Sequence, residues 1–223
     1  MDIECKPGIY LFVGKPKSGK THLARKIVFD LFKCGYFKFG LVFSETSHYN
    51  GDWGFFPDNR VVQYSNNAFK NYIAHLQKKQ SELKKQDEKL PPSCLIVDDS
   101  LGRVNFWDDD WTNTFAIHRH LNLSIFIISQ SIYAGGKGSS TLLRDCCSHA
   151  FMWRTNTLNS IKGFYTNFGS RYFEKLNDFK NFFEQGTSQK HRCFCFQNSD
   201  DPNKMYSFYI ADPAYKVEKM SGF

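Results

Sequence analysis

Apolar and polar positions divide this chain into short, fully apolar runs separated by stretches with helical spacing. Ile9-Tyr10-Leu11-Phe12-Val13 is apolar at every position, which predicts a strand covered on both faces. After a glycine-containing loop, Leu23, Ala24, Ile27, Val28, Leu31 and Phe32 mark one stripe of a helix over 21–34, with Gly35 at its C-terminal cap. Strands are predicted at 39–43 and 61–64, with 49–58 (YNGDWGFFPD) as a loop between them. A long polar helix over 67–89 has Phe69, Tyr72, Ile73 and Leu76 on its sticky side and stops before Pro91-Pro92. Its end, KKQSELKKQDEK, reads as a solvated face or a contact for a polyanion or partner. Further strands are predicted at 94–97, 124–129 and 150–154. Helices are expected at 108–121, 141–147, 157–166 and 170–184. The last two strands, 191–197 and 205–211, are joined by Ser199-Asp200-Asp201-Pro202-Asn203-Lys204 and form a β-hairpin. Strand and helix alternation of this kind predicts an α/β fold with a mainly parallel central sheet flanked by helices, ending in an antiparallel hairpin.

The chemistry sits at the ends of the apolar runs. Gly14-Lys15-Pro16-Lys17-Ser18-Gly19-Lys20-Thr21 matches GxxxxGK[ST] between a buried strand and a helix, the context a phosphate-binding P-loop requires. Backbone N–H groups from Lys17 to Thr21 can converge on phosphate oxygens at the helix N-terminus. Pro16 lacks an N–H and belongs on the turn, outside the cradle. Lys20 is expected to reach the β- and γ-phosphates of ATP, and Thr21 to hold Mg²⁺. Lys15 is a positive residue on the loop rim. Leu95-Ile96-Val97-Asp98-Asp99 ends a strand in two carboxylates, a Walker B pattern: Asp98 for the metal and Asp99 as general base for the attacking water. Gln130, ending Phe126-Ile127-Ile128-Ser129-Gln130, is a candidate sensor of the γ-phosphate. It implies an extra strand between those of the P-loop and Walker B. Multimeric NTPases complete their sites with a neighbour's arginine, and Arg119, Arg144 and Arg154 are the candidates.

Composition narrows the partner. Hydrophobic residues are 41% of the 223, enough for a folded core, and Phe alone contributes 23. The 29 basic and 22 acidic side chains leave a formal charge of +7, a mild bias toward polyanions. The stretch 94–150 reverses it, with six acids against four bases, and so sets an acidic centre inside a basic shell. No run approaches the roughly 20 apolar residues of a membrane span and the N-terminus does not resemble a signal peptide. The seven cysteines therefore point to a reduced, intracellular, soluble protein. Cys146, Cys147, His149, His191, Cys193 and Cys195 lack the spacing of a tetrahedral zinc site; Cys193 and Cys195 read as one face of a strand.

In motif order the chain resembles the FtsK/HerA superfamily of DNA-pumping ATPases, and within it the genome-packaging ATPases of poxviruses, other large nucleocytoplasmic DNA viruses and virophages. The residues that carry the likeness are GKPKSGKT, LVFSETSHYNGDWGFFPD, LIVDD, RHLNLSIFIISQS and LLRDCCSHAFMWRT, over 9–165. The resemblance implies an ASCE/RecA-like P-loop ATPase that forms a homo-oligomeric ring, pentamer or hexamer, and moves double-stranded DNA into a preformed capsid at a capsid or portal-vertex protein. It implies action in the host cytoplasm (a viral factory) or in the virion. Asp99 stands where many superfamily members carry Glu, a departure shared with viral members. No appended DNA-binding domain is visible, so DNA contact falls to loops of the ATPase itself, Gly135-Gly136-Lys137-Gly138-Ser139-Ser140 among them. The whole chain, 1–223, reads as one ATPase domain with its core at 8–165. Two other readings stay open: a ParA/MinD-like partitioning ATPase or another DNA-associated P-loop ATPase, supported by Lys15, and a nucleotide-ordered scaffold with little turnover.

Overall fold

The structure is a computed structural model that describes residues 5–99, 103–131, 141–199, 201, 205–212 and 214–215. Eight strands form one sheet: β1 Ile9–Val13, β2 Phe39–Ser44, β3 Val61–Val62, β4 Ser93–Asp98, β5 Leu123–Ser129, β6 Cys147–Trp153, β7 Arg192–Gln197 and β8 Tyr206–Ile210. Their order is β3-β2-β4-β5-β1-β6-β7-β8. All pairings from β3 to β6 are parallel, and β6-β7 and β7-β8 are antiparallel. The α/β reading holds, and β5 does lie between the P-loop strand and the Walker B strand.

The helices are α1 Lys20–Lys33, α2 Ser47–Asn50, α3 Asn66–Lys84, α4 Asp109–Ile117, α5 Thr141–Cys146, α6 Leu158–Asn167 and α7 Leu176–Gly186. Helix α1 covers one face of the sheet through Leu23, Ala24, Ile27 and Val28, packed with Tyr10, Phe12, Phe126 and Phe151. The other face carries α3, α4, α6 and α7 over Ile9, Leu11, Val13 and Leu95. The abundant Phe has a structural use here. Paired positions of adjacent parallel strands stack their rings, Tyr10 on Phe126 and Phe12 on Phe151, each at 4.6 Å between centroids.

Several boundaries differ from the sequence reading for local reasons. Helix α3 ends at Lys84, five residues early, where the chain turns through Asp87 at φ 58°. Helix α4 ends at Ile117; the ring of His118, 1% exposed, bonds to the Phe115 carbonyl at 2.7 Å, and Asn122 (φ 47°) turns the chain into β5. Strand β6 begins at Cys147, three residues early, because His149 stacks on Tyr10 at 5.1 Å. Helix α7 begins only at Leu176, after a short 3₁₀ turn at Gly169–Arg171. Cys193 and Cys195 share one buried face of β7, facing the α1 side. The loop 135–140 proposed for DNA contact lies outside the described residues, as do 200 and 202–204 of the hairpin connection. Among the described residues no helix is long and apolar enough to cross a membrane.

The hairpin docks through Gly186, at the end of α7, where an added Cβ would lie 2.0 Å from Cζ of Phe208 on β8. Gly186→Ala is expected to cost about 1–3 kcal/mol through overpacking, lowering the thermal midpoint by several degrees. Adding Phe208→Leu should recover part of the loss in the same melt.

Candidate functional site

Parallel pairing brings three chain exits to one edge of the sheet. Val13 is in register with Ser129, and Asp98 with Ile128, so Gly14, Gln130 and Asp99 leave their strands side by side. The Gly14 amide extends the β1-β5 pairing to the Ser129 carbonyl at 3.2 Å. From there the P-loop turns into α1 through two left-handed positions, Lys17 (φ 61°) and Gly19 (φ 107°). Gly19 is the N-cap and offers no side chain to the first amides of α1, nor does any acid occupy the first turn. Those donors are left for an anion.

The resulting cleft, about 440 Å³, is lined by Pro16, Lys17, Ser18, Gly19, Lys20 and Thr21 from the loop, by Asp99 and Gln130 from the strand ends, and by His22, Asn50, Asp52, His191 and Ala211. Pro16 is therefore part of the wall, although it offers no donor. Gly14 and Lys15 are not: Gly14 packs against Trp153 beneath the loop, and Lys15 is exposed on the rim. Lys20 is 6% exposed and its Nζ donates to the Lys15 carbonyl at 3.0 Å. Burial lowers its pKa, against the opposing pull of Asp99 and Asp98. The Thr21 hydroxyl donates to Asp98 Oδ1 at 3.3 Å. Asp99 stands at φ 51°, a left-handed conformation that a short acidic side chain tolerates and that carries local strain.

Asp98 is 1% exposed and is pushed up to about 7, first by burial and then by the charges of Asp99 and Asp52. Two hydrogen bonds act in the opposite direction. One is from Thr21; the other, at 2.9 Å, is from Nε1 of Trp53 to Oδ2. A hydroxyl and a buried carboxylate oxygen at one point are hard oxygen donors of the kind that suit Mg²⁺. Asp52 pairs with Arg25 at 3.2 Å, yet burial still raises its pKa.

Sequence reasoning missed two contributors. Trp53 comes from the loop after β2, and no spacing rule joins it to a carboxylate 45 residues away. The C-terminal hairpin is the other. Because β7 runs antiparallel to β6 and β8 antiparallel to β7, the start of β7 and the end of β8 return to the P-loop edge. His191 Nδ1 donates to the Ser18 carbonyl at 3.1 Å, Trp153 Nε1 donates to the His191 carbonyl at 3.2 Å, and the His22 ring bonds to the Asp212 carbonyl. A Cβ on Gly19 would lie 2.8 Å from that of Ala211.

The three arginines divide by position. Arg119 lies in the turn before β5 and Arg144 at the end of α5, both at the edge opposite the P-loop; Arg144 pairs with Asp145 at 3.2 Å. Arg154 follows Trp153 on the P-loop edge and is exposed. None of the three lines the cleft of its own chain.

The family model of the poxvirus A32 protein matches residues 5–158. The chain belongs to the poxvirus A32 protein family. That family is the poxvirus genome-packaging ATPases, so this chain is a genome-packaging ATPase with a P-loop fold. A search of curated proteins gives no match. Among solved structures the fold of this chain is similar to that of the genome-packaging NTPase B204 of Sulfolobus turreted icosahedral virus 2, solved with AMPPCP. That match has a TM-score of 0.62 at 14% identity and covers 93% of this chain and 98% of that one. The pCW3 conjugation coupling protein TcpA is similar at TM-score 0.62 and 15% identity, covering 89% of this chain and 60% of that one. The cytoplasmic domain of the Thermomonospora curvata type VII secretion ATPase EccC matches at TM-score 0.60 and 13% identity, over 91% of this chain and 25% of that one.

The raised pKa of Asp98 has a consequence for the free protein. A carboxyl raised from 3.8 to about 7 on folding stabilises the fold fully below the unfolded value, and that contribution is lost as pH rises toward 7. Without nucleotide or divalent cation, the thermal midpoint should fall between about pH 4 and 7. Asp98→Asn should flatten that fall and raise the midpoint at pH 8, by about 2–4 °C per kcal/mol of charge burial removed. An unchanged slope in the variant would contradict the assignment.

Proposed function

We propose that this protein hydrolyses ATP in the cleft at the P-loop edge and uses it to translocate double-stranded DNA into a viral capsid, as a ring of five or six copies. The observation that carries the reading is the convergence of Lys20, Thr21, Asp99 and Gln130 on one cleft, with buried Asp98 in hydrogen-bond contact with Thr21. The loop amides and Lys20 bind the phosphates, and Lys20 leaves the Lys15 carbonyl to do so. Asp99 accepts the proton of the attacking water, and Gln130 orients that water or senses the γ-phosphate. Thr21 and Asp98 would hold Mg²⁺, which would supply positive charge to neutralise the phosphates.

Of the three arginines, Arg154 is favoured to act on a neighbour's nucleotide, since it is exposed on the edge that carries the cleft. The single continuous sheet supports one ATPase domain over the whole chain. The match to B204, a genome-packaging NTPase, along nearly its full length supports the packaging reading. Capsid or portal-vertex protein is the fixed partner in this reading, and the host cytoplasm or virion its place of action. The partitioning reading rested on Lys15, which lies outside the cleft lining.

Asp99→Asn is expected to lower kcat by about 10²–10⁴-fold with nucleotide affinity nearly unchanged; retained turnover removes Asp99 as the base. In mixtures with wild type, Lys20→Ala protein should depress DNA-stimulated ATPase activity more than in proportion to its share. A linear dilution argues against shared sites.

A further inference from the structure

Asp98 presents its two oxygens to different partners. Oδ1 accepts from the Thr21 hydroxyl at 3.3 Å, on the side of the cleft, while Oδ2 accepts from the Trp53 indole at 2.9 Å on the side of the core. Trp53 is 0% exposed and held on several sides. Its amide donates to Ser47 Oγ at 3.3 Å, whose own amide donates to Ser44 Oγ at 3.1 Å at the end of β2. Its ring packs against Phe55 at 5.9 Å and Phe56 at 6.2 Å, and Phe55 meets Phe29 of α1 edge-on at 5.5 Å. The indole is therefore fixed to both β2 and α1, and its single polar atom is spent on one carboxylate oxygen. Packing alone does not account for that atom, since a phenyl ring would also fill an apolar pocket. A fixed donor on Oδ2 sets the rotation of the carboxylate and keeps Oδ1 turned toward Thr21.

We infer that Trp53 is a positioning residue for the ATPase reaction: it orients the Asp98 carboxylate so that Oδ1 and the Thr21 hydroxyl present one divalent-cation site to the nucleotide. The inference rests on the nucleotide and metal roles proposed for Thr21 and Asp98. Outer partners of ligating carboxylates are worth about 10–100-fold in metal affinity, and Trp53 occupies that position for Asp98.

The test uses the full chain with Trp53→Phe and, because that variant can lose stability, a second protein carrying 3-benzothienylalanine at position 53. The latter keeps the bicyclic shape and replaces only the N–H by sulfur. Binding of AMPPCP is measured by calorimetry in excess Mg²⁺ and again in EDTA. For both variants the affinity in EDTA is expected to stay within about twofold of wild type, while the gain on adding Mg²⁺ shrinks about 10-fold or more. On an Asp98→Asn background the same changes should have no further effect on that gain. A full Mg²⁺ gain in the benzothienylalanine protein overturns the inference and leaves Trp53 as packing. A wild-type protein with no Mg²⁺ gain, unaltered by Asp98→Asn, overturns the metal reading of the site instead and the inference with it.

Discussion

A carboxylate almost sealed from water is the constraint on which the nucleotide edge is built. Burying the Asp98 charge is unfavourable by itself, and the fold accepts it where the ends of the parallel strands β4, β5 and β1 lie side by side. The acid and its two offsetting groups come from three separate parts of the chain. Thr21 arrives on the first turn of α1, Trp53 on the loop after β2, and Asp98 itself on the last residue of β4. Each depends on the register of the sheet. A slip of one residue in β4 would turn Asp98 to the opposite face and bring Val97 or Asp99 into its place. The stacked aromatic pairs between β1 and its neighbours lie at paired positions of β5 and β6, and so favour the register that sets the P-loop strand beside them.

Much of this arrangement is legible in the residues. The apolar runs place β1, β2, β4 and β5 within a residue or so, because strands buried on both faces carry no polar interruption to blur them. Gln130 correctly implies the strand between the P-loop and Walker B. Helix ends are less legible where a single left-handed residue redirects the backbone, as Asn122 does between α4 and β5. Strand β6 starts early for a related reason: His149 behaves there as an aromatic ring in a stack, not as a polar breaker.

The site divides in the same way. The residues proposed to meet phosphate and metal follow motifs whose spacing is set by backbone geometry, so they can be read locally. Trp53, His191 and Ala211 reach the site through tertiary contacts across 45 to 192 positions of chain, measured as 45 for Trp53 to Asp98 and 211 − 19 = 192 for Ala211 to Gly19. Nothing in the neighbours of His191 and Ala211 marks them, and Trp53 stands in a segment that carries the family likeness without a role of its own. A tryptophan in an aromatic loop looks like core, and it is core, except for one nitrogen.

The contact between Gly19 and Ala211 also bears on the order in which the molecule is made. Strand β1 and the P-loop leave the ribosome early, but the wall formed by His191 and Ala211 is added only after β7 and β8 have been synthesised and have paired backward onto β6. Until then the loop lacks the carbonyl and ring contacts that shape it, and its two left-handed residues have no support from that side. Nucleotide thus meets a finished pocket only after the last strands of the sheet have been made and paired.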